Sequence, residues 1–310
     1  MFIIRPLKEE DFPKLWECAL LSHGMYSLPK DKKLLETELQ TSISALNKPT
    51  GEMYFFGLED TETGSLGGVS AIHRVMGYPT PFPFFRVEKD LLIPTLLENG
   101  PSELCALYLL PPYRKGGHGR LLSLSRLHFI ATFPSRFKPT LAAWMRGYTD
   151  ERHQSPFWRA IGQHLFHLSL EEAQICPSAL DIRHQTPIPI ASLPLDAQEV
   201  IGKTHPNTAP AFKMLQEEGF AWNQLIDILD GGPVVEAPTA SLKTVRDSQL
   251  LTLTATQPLN DTTPCALISN PRLNFRATLA PFQPPGILTE ATASALQLSL
   301  GDPFRVSSLH

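Results

Sequence analysis

The run Arg114-Lys115-Gly116-Gly117-His118-Gly119 stands where an apolar segment ends and a helix-forming one begins, a combination suited to holding a phosphate. Glycines let a backbone come close to a ligand, and the first N–H groups of a helix have no partner inside it. The helix dipole adds partial positive charge at the same point. From Leu104 to Thr149 the chain carries seven Lys or Arg residues and no Asp or Glu, although its formal net charge is −4. A basic island on an acidic chain points to an anionic ligand. The run is neither GxxxxGK[ST] nor GxGxxG. Spacing alone therefore leaves two readings: a phosphate site, or a strand-to-helix turn with glycines for tight packing.

Other residues have types that could do chemistry. His205 precedes Pro206 at a predicted helix start, a position that lowers an imidazole's pKa and favours the neutral ring. It either moves a proton or merely begins the helix. Arg146 ends a predicted strand, where a guanidinium can hold a carboxylate through two parallel bonds or lie beside a loop. His164 and His167 have a spacing a metal could use, but no third ligand of suitable spacing is evident, so they read as surface or capping histidines. Cys18, Cys105, Cys176 and Cys265 form no CxxC and no His pairing. They read as buried thiols in a reducing compartment.

These residues need elements to position them. Glu103 to Leu110 is mostly apolar without a helical period and is stopped by Pro111-Pro112, which predicts a central strand. Leu121, Leu122, Leu124, Leu127, Phe129 and Ile130 give the following helix an apolar face, with Arg120 and Arg126 left over. Before it, strands are predicted at 1–5, 53–58, 66–76 and 84–87, helices at 9–21 and 34–46, and a polar connection at 88–100. Residues 23–29 form a loop with turn chemistry that contains Ser27. After it come a strand over 139–148, helices over 157–166 and 196–202, and a helix through Glu218 followed by a strand over 220–229. Gly231-Gly232-Pro233 marks a boundary, beyond which short Thr-, Val- and Leu-rich segments predict a small all-β part.

The 310 residues suggest two domains, or one with an extension, and a hydrophobic content of 42% is ordinary for a globular chain with a full core. No apolar run approaches the roughly 18 residues of a membrane span. The N-terminal segment lacks a basic region before an apolar core, so it does not read as a secretory signal. The basic residues are not expected to have exposed aromatics interleaved with them, and the overall charge is negative, which argues against a nucleic-acid surface.

The form R-x-x-G-x-G, carried by Arg114, Gly117 and Gly119 after an apolar strand, resembles the acyl-CoA signature of the GNAT superfamily of N-acetyltransferases. A longer set is more specific: SELCALYL, RKGGHGRLLSLSR, MRG at 145–147, SPFW at 155–158, VIGKTHPNTAPA at 200–211, EEGF at 217–220 and DILDGGP at 227–233. Together these are similar to the arginine N-succinyltransferase family, in that family's order and over nearly the whole chain.

The resemblance implies an α+β fold: a GNAT-like mixed sheet flanked by helices over residues 1–232, and a small β-rich extension over 233–310. It implies succinyl transfer from succinyl-CoA to the α-amino group of L-arginine in a ternary complex, within arginine catabolism. It places acyl-CoA at Leu107 and at Arg114, Gly117, His118 and Gly119, makes His205 the proton donor, and puts Ser27 near the substrate. Arg146 would then pair with the succinyl carboxylate. No metal is implied. The setting is cytoplasmic, with no nucleic acid or membrane partner, as a homo-oligomer or beside a related chain. Two stretches depart from the family's pattern: Trp144 stands where Glu is common, and Gln185-Thr186-Pro187-Ile188-Pro189 replaces a Lys-His-Pro-Ile-Tyr stretch. Both are expected near the acceptor pocket. They leave room for a different amino-acid acceptor, or for a subunit that works only with a partner.

Overall fold

The central strand runs from Ser102 to Leu109 and is apolar on both sides because helices cover both faces of its sheet. The computed structural model describes residues 1–22, 27–175, 180–260 and 262–308. In chain order these give β1 (Phe2–Pro6), α1 (Phe12–Leu21), α2 (Lys32–Ala45), β2 (Met53–Asp60), β3 (Leu66–His73), β4 (Phe82–Glu88), β5 (Leu91–Leu97), β6 (Ser102–Leu109) and α3 (His118–Thr132). There follow β7 (Thr140–Trp144), α4 (Gln163–Phe166), α5 (Leu170–Ile175), β8 (Ile188–Pro189), α6 (Leu195–Val200), α7 (Ala209–Glu218), β9 (Ala221–Asp227) and β10 (Pro233–Pro238). The remainder holds α8 (Lys243–Asp247), β11 (Gln249–Thr252), β12 (Ala255–Thr256), β13 (Cys265–Ser269), β14 (Ala277–Pro281), β15 (Ile287–Leu288), α9 (Glu290–Ala295) and β16 (Pro303–Ser308).

Among the described residues one sheet of 14 strands has the order β11-β16-β13-β14-β1-β2-β3-β6-β7-β10-β9-β4-β5-β8. Its pairs are antiparallel except β6 with β7. Successive side chains of a strand point to opposite faces, and β2 uses this directly. Phe56 packs with α3 residues Leu121, Leu122 and Phe129 on one face, and Phe55 packs with Leu15, Leu35 and Leu39 of α1 and α2 on the other. The long parallel pairing expected of neighbouring strands does not form. β7 pairs with β6 only at Ser102↔Leu141 and Glu103↔Ala142, while its other edge pairs with β10 along its whole length. Beyond Glu103 the two strands splay into a V.

Three sequence expectations are corrected. Residues 88–100, read as a polar connection, contain β5, paired with β4 along its length. Pro94 hid it. β8 pairs only with Leu91 and Leu92, so the outer edge at Pro94 needs no N–H donor. Cys265 is exposed, whereas Cys18 and Cys105 are buried as expected; Cys176 lies outside the described residues. Helix α3 is buried at every residue from Leu121 to Ile130, not along one stripe, and Arg126 is fully inside.

The C-terminal part explains that burial. β14 pairs with β1 at Ile4↔Ala277, so the extension prolongs the main sheet. Between it and α3, the His128 ring bridges the hydroxyls of Ser269 (3.0 Å) and Ser307 (2.9 Å). Burial pushes its pKa down to about 3, so the neutral ring donates at one nitrogen and accepts at the other. Strand β10 starts at Pro233 and inserts between β7 and β9, so the sheet runs across position 232/233.

Candidate active site

The V opens on one side onto β6, whose backbone is irregular there. Ser70 of β3 faces two residues, Ala106 and Leu107, and Ala106 has a φ of 51°. A bulge leaves backbone groups without ladder partners. Two side chains take them up. Ser27 Oγ accepts the Ala106 N–H at 2.9 Å. Arg126 Nη1 donates to the carbonyls of Cys105 (3.1 Å) and Ala71 (3.3 Å). Leu107 therefore sits in the bulge itself, on the strand lining the V. Residues 23–26 of the Ser27 loop lie outside the described residues.

At the C-terminal end of β6 stands the glycine run. Gly116 and Gly117 have φ values of 64° and 78°, the left-handed region that favours glycine. Gly119 has an ordinary φ, and a Cβ placed there would meet only Leu109 Cδ1, at 3.7 Å. Protein packing does not demand glycine at that position. Gly117 caps α3, and no side chain of the cap bonds the first N–H groups of the helix. Arg114 Nε donates to the Leu109 carbonyl at 2.9 Å and its guanidinium lies 5.4 Å from the centre of the Tyr108 ring. His118 Nδ1 donates to the Tyr113 carbonyl at 3.1 Å, which holds the turn closed. Of the four loop residues singled out, Gly117 and Gly119 supply room and free amides, whereas Arg114 and His118 shape the turn.

The other arm of the V ends at Trp144, and the chain continues as Met145-Arg146-Gly147. The His205 N–H donates to the Arg146 carbonyl at 2.9 Å, and Gly147 bridges Thr204. The sheet thus brings Arg146 and His205 together although they are 59 positions apart in the chain. His205 is partly buried, and its Nδ1 accepts the Asn207 N–H at 3.1 Å. The ring proton is therefore on Nε2. Its pKa is lowered first by burial, then by the positive charges of Arg146 and His153. The helix start assigned this role by sequence is a short 3-10 turn, Pro206–Thr208, and burial is the larger cause.

Arg146 Nη2 donates to Thr149 Oγ1 at 2.7 Å, while its Nε is buried without a hydrogen-bond partner among the described residues. Burial lowers the guanidinium's pKa and Asp230 opposes that. A buried, unsatisfied guanidinium N–H is suited to an anionic oxygen. Behind it, Asp230 accepts from the Gly147 N–H (2.8 Å) and the Gly232 N–H (2.9 Å). Asp227 accepts from Trp144 Nε1 (2.7 Å) and the Leu229 N–H (2.7 Å). Burial pushes both carboxyls up, Asp230 to about 6. The sequence flagged DILDGGP only as a motif; its two carboxylates are what hold the Trp144–Gly147 turn.

The two departures from the family's pattern separate. Trp144 is at the site, its indole held by Asp227 and packed on Phe82 and Phe84. The 185–189 stretch is not beside it: Ile188 and Pro189 form β8, the outermost strand, with β10, β9, β4 and β5 between it and β7. Sequence reasoning missed Arg126, Glu38 and Glu103. Charged residues ordinarily read as surface, and the packing of α2 and α3 on the sheet encloses these. Among the described residues, no three His, Cys, Asp or Glu side chains gather as a metal site, and no helix is long and apolar enough to cross a membrane.

Comparison with known proteins matches this frame over its full length. The family model described as arginine N-succinyltransferase beta subunit matches residues 2–244, and the model of that subunit's C-terminal domain matches residues 249–308. This chain belongs to the arginine N-succinyltransferase family. Arginine N-succinyltransferases from Shigella boydii and Escherichia coli are each 35% identical over 100% of this chain and 98% of their own. The solved structure of arginine/ornithine succinyltransferase subunit AI from Pseudomonas aeruginosa superposes with a TM-score of 0.89, at 29% identity, over 99% of this chain and 98% of that one. Members are N-acyltransferases, so this chain is a transferase with a GNAT-type fold and a CoA-linked substrate.

Proposed function

We propose that the chain transfers a succinyl group from succinyl-CoA to the α-amino group of L-arginine, with both substrates bound together. The observation that carries this reading is the buried Arg146 Nε without a partner, two residues past the end of β7 and bonded through its carbonyl to His205. A succinyl group ends in a carboxylate that acetyl lacks, and a guanidinium is the side chain for planar, paired bonds to it. The CoA pyrophosphate lies on the amides of Gly117 and Gly119, at the start of α3. The thioester reaches the bulge at Leu107, where backbone N–H groups meet its carbonyl oxygen as charge develops. His205 turns Nε2–H toward the departing sulfur. The acceptor enters from the Ser27 side.

One observation favours a second reading, in which the chain needs a related partner to complete its acceptor pocket: the Trp144 indole occupies Asp227 Oδ2, a carboxylate a cationic acceptor would otherwise reach. Purified protein tests both. CoA release with succinyl-CoA and arginine, but not with acetyl-CoA, supports the first. CoA binding without release, restored by a related chain, supports the second.

A further inference from the structure

Two of the seven basic residues between Leu104 and Thr149, Arg136 and Lys138, take no part in the glycine turn or in the corner that holds Arg146. Helix α3 carries the chain away from the turn to reach them; it runs from His118 to Thr132 and is about 22 Å long. Lys138, two residues before β7, lines a cavity of about 490 Å³ with Arg74, the residue after β3, and Lys48, which follows α2. That size suits a small ligand. Arg136 stands behind the wall, its Nη1 donating to the carbonyl of Ala45 (3.1 Å) and to the Tyr54 hydroxyl (3.2 Å).

Among the described residues none of these four cations forms an ion pair, whereas Arg5, Arg159 and Arg272 each lie on a carboxylate. Glu52 is the one carboxylate among the described residues of the cavity wall. The half-buried Arg74 makes a single side-chain bond, from Nε to the Arg136 carbonyl at 3.2 Å, which leaves both Nη groups to the cavity. The backbones beneath these cations are fixed. Ser102 is fully buried; its Oγ donates to the Arg74 carbonyl and accepts the Lys138 N–H at 2.9 Å. The Arg74 N–H donates to the Glu52 carbonyl at 2.8 Å. Arg74 and Lys138 therefore spring from one hydrogen-bonded joint at the start of β6. His73 lies on the same wall, its pKa lowered chiefly by burial, so the ring there is neutral and keeps one N–H to donate. Positive charges held this close repel one another, and a concave wall of one sign concentrates anions.

We infer that the cavity between the end of α2 and the start of β6 is a second anion site, which takes a small molecule bearing two or more negative charges on clustered oxygens, as a phosphoryl compound or a polycarboxylate does. The free edge of the Arg74 guanidinium offers paired N–H groups to such oxygens, and Lys138 and Lys48 add compact charges beside it. Lys48, Arg74 and Lys138 set against Glu52 leave an excess of two positive charges on the wall. A multivalent anion matches that excess, and a monovalent one does not. The site is separate from the glycine turn at the far end of α3. The inference goes beyond the transfer reading and holds whichever acyl group and amino acid the chain joins.

Calorimetric titration of the full chain tests this, with pyrophosphate, citrate and acetate as probes at constant ionic strength and with saturating CoA to cover the glycine turn. Pyrophosphate or citrate should bind, and acetate should bind at least tenfold more weakly. Arg74→Gln and Lys138→Gln should each weaken the bound probe about tenfold, the worth of one charge-assisted bond, and Lys48→Gln should weaken it several-fold. CoA affinity should stay within twofold in all three, which also shows that each variant folds. If Arg74→Gln does not fold, Lys138→Gln decides, because its amine has no other partner among the described residues. Binding of pyrophosphate alone assigns the site to phosphoryl compounds, and binding of citrate alone to polycarboxylates; either result supports the inference. Absence of binding by both probes overturns it, as does binding seen only without CoA, which puts the anion on the glycine turn. Acetate binding as tightly as citrate and pyrophosphate overturns it, and so does affinity unchanged in Lys138→Gln. Displacement of the probe by L-arginine overturns it too, since the cavity would then belong to the acceptor pocket. None of these results bears on the transfer reading, which is judged by CoA release.

Discussion

The Ala106 N–H donates to Ser27 Oγ at 2.9 Å, tying the loop that follows α1 to the bulge in β6. In the proposed function the acceptor enters on this side of the V, so the bond joins the two pieces of chain beside its path. Replacing Ser27 with Ala leaves a backbone donor unsatisfied at a partly buried place, at a cost of about 1–2 kcal/mol. Denaturant midpoints should fall accordingly, and Ser27→Thr should restore most of the loss. Turnover of Ser27→Ala should fall further than stability alone explains, because Leu107 shares the bulge.

Arg126 does the complementary task from α3. It satisfies two strand carbonyls and is fully buried. Arg126→Met keeps much of its volume and orphans both carbonyls. We expect a loss of about 3 kcal/mol in unfolding free energy, read by urea denaturation. An unchanged midpoint would mean that the bulge does not need its cap.

His205→Ala should lower turnover by roughly 10²–10⁴ and leave CoA affinity within a few-fold. The ring stands beside Arg146 and the Asn207 amide and is not part of the glycine turn. Unchanged turnover would remove it from the mechanism.

Arg146 should discriminate acyl chains. Arg146→Met should raise the KM for succinyl-CoA by one to two orders of magnitude, about 1.5–3 kcal/mol for a charge-assisted bond. It should scarcely affect the weak use of acetyl-CoA. Comparing KM for the two donors in both proteins checks this directly.

Stability should depend on pH through Glu103. Burial raises its folded pKa from 4.5 to about 7, so between those values the folded protein holds more protons than the unfolded one. Its contribution to stability is intact below about 4.5, falls as pH rises toward 7, and is flat above. Glu103→Gln should flatten that slope and stabilise the chain at pH 8 by an amount on the order of 2 kcal/mol. Thermal melts across pH read the difference.

Much of this was legible in the sequence because the informative residues are local. The apolar run stopped by Pro111-Pro112, the glycine turn and the His205-Pro206 pair each announce themselves within a few positions. The Arg146–His205 contact was not announced by spacing; it exists because Gly147 bridges Thr204 across the sheet. β5 was hidden by a proline that an edge strand tolerates, and the burial of α3 was hidden because its second cover, the strands β13 and β16, comes more than 130 residues later. Glu38 and Glu103 look like any surface carboxylates until the packing of α2 on the sheet is known.

The central claim is that this V joins a succinyl thioester to an amino acid. The direct measurement is release of free CoA thiol by the purified chain, crossing succinyl-CoA and acetyl-CoA with arginine, ornithine and lysine. Release with succinyl-CoA and arginine, abolished in His205→Ala and shifted in KM by Arg146→Met, is the result predicted. Release with acetyl-CoA equal to that with succinyl-CoA, and insensitive to Arg146, would contradict it.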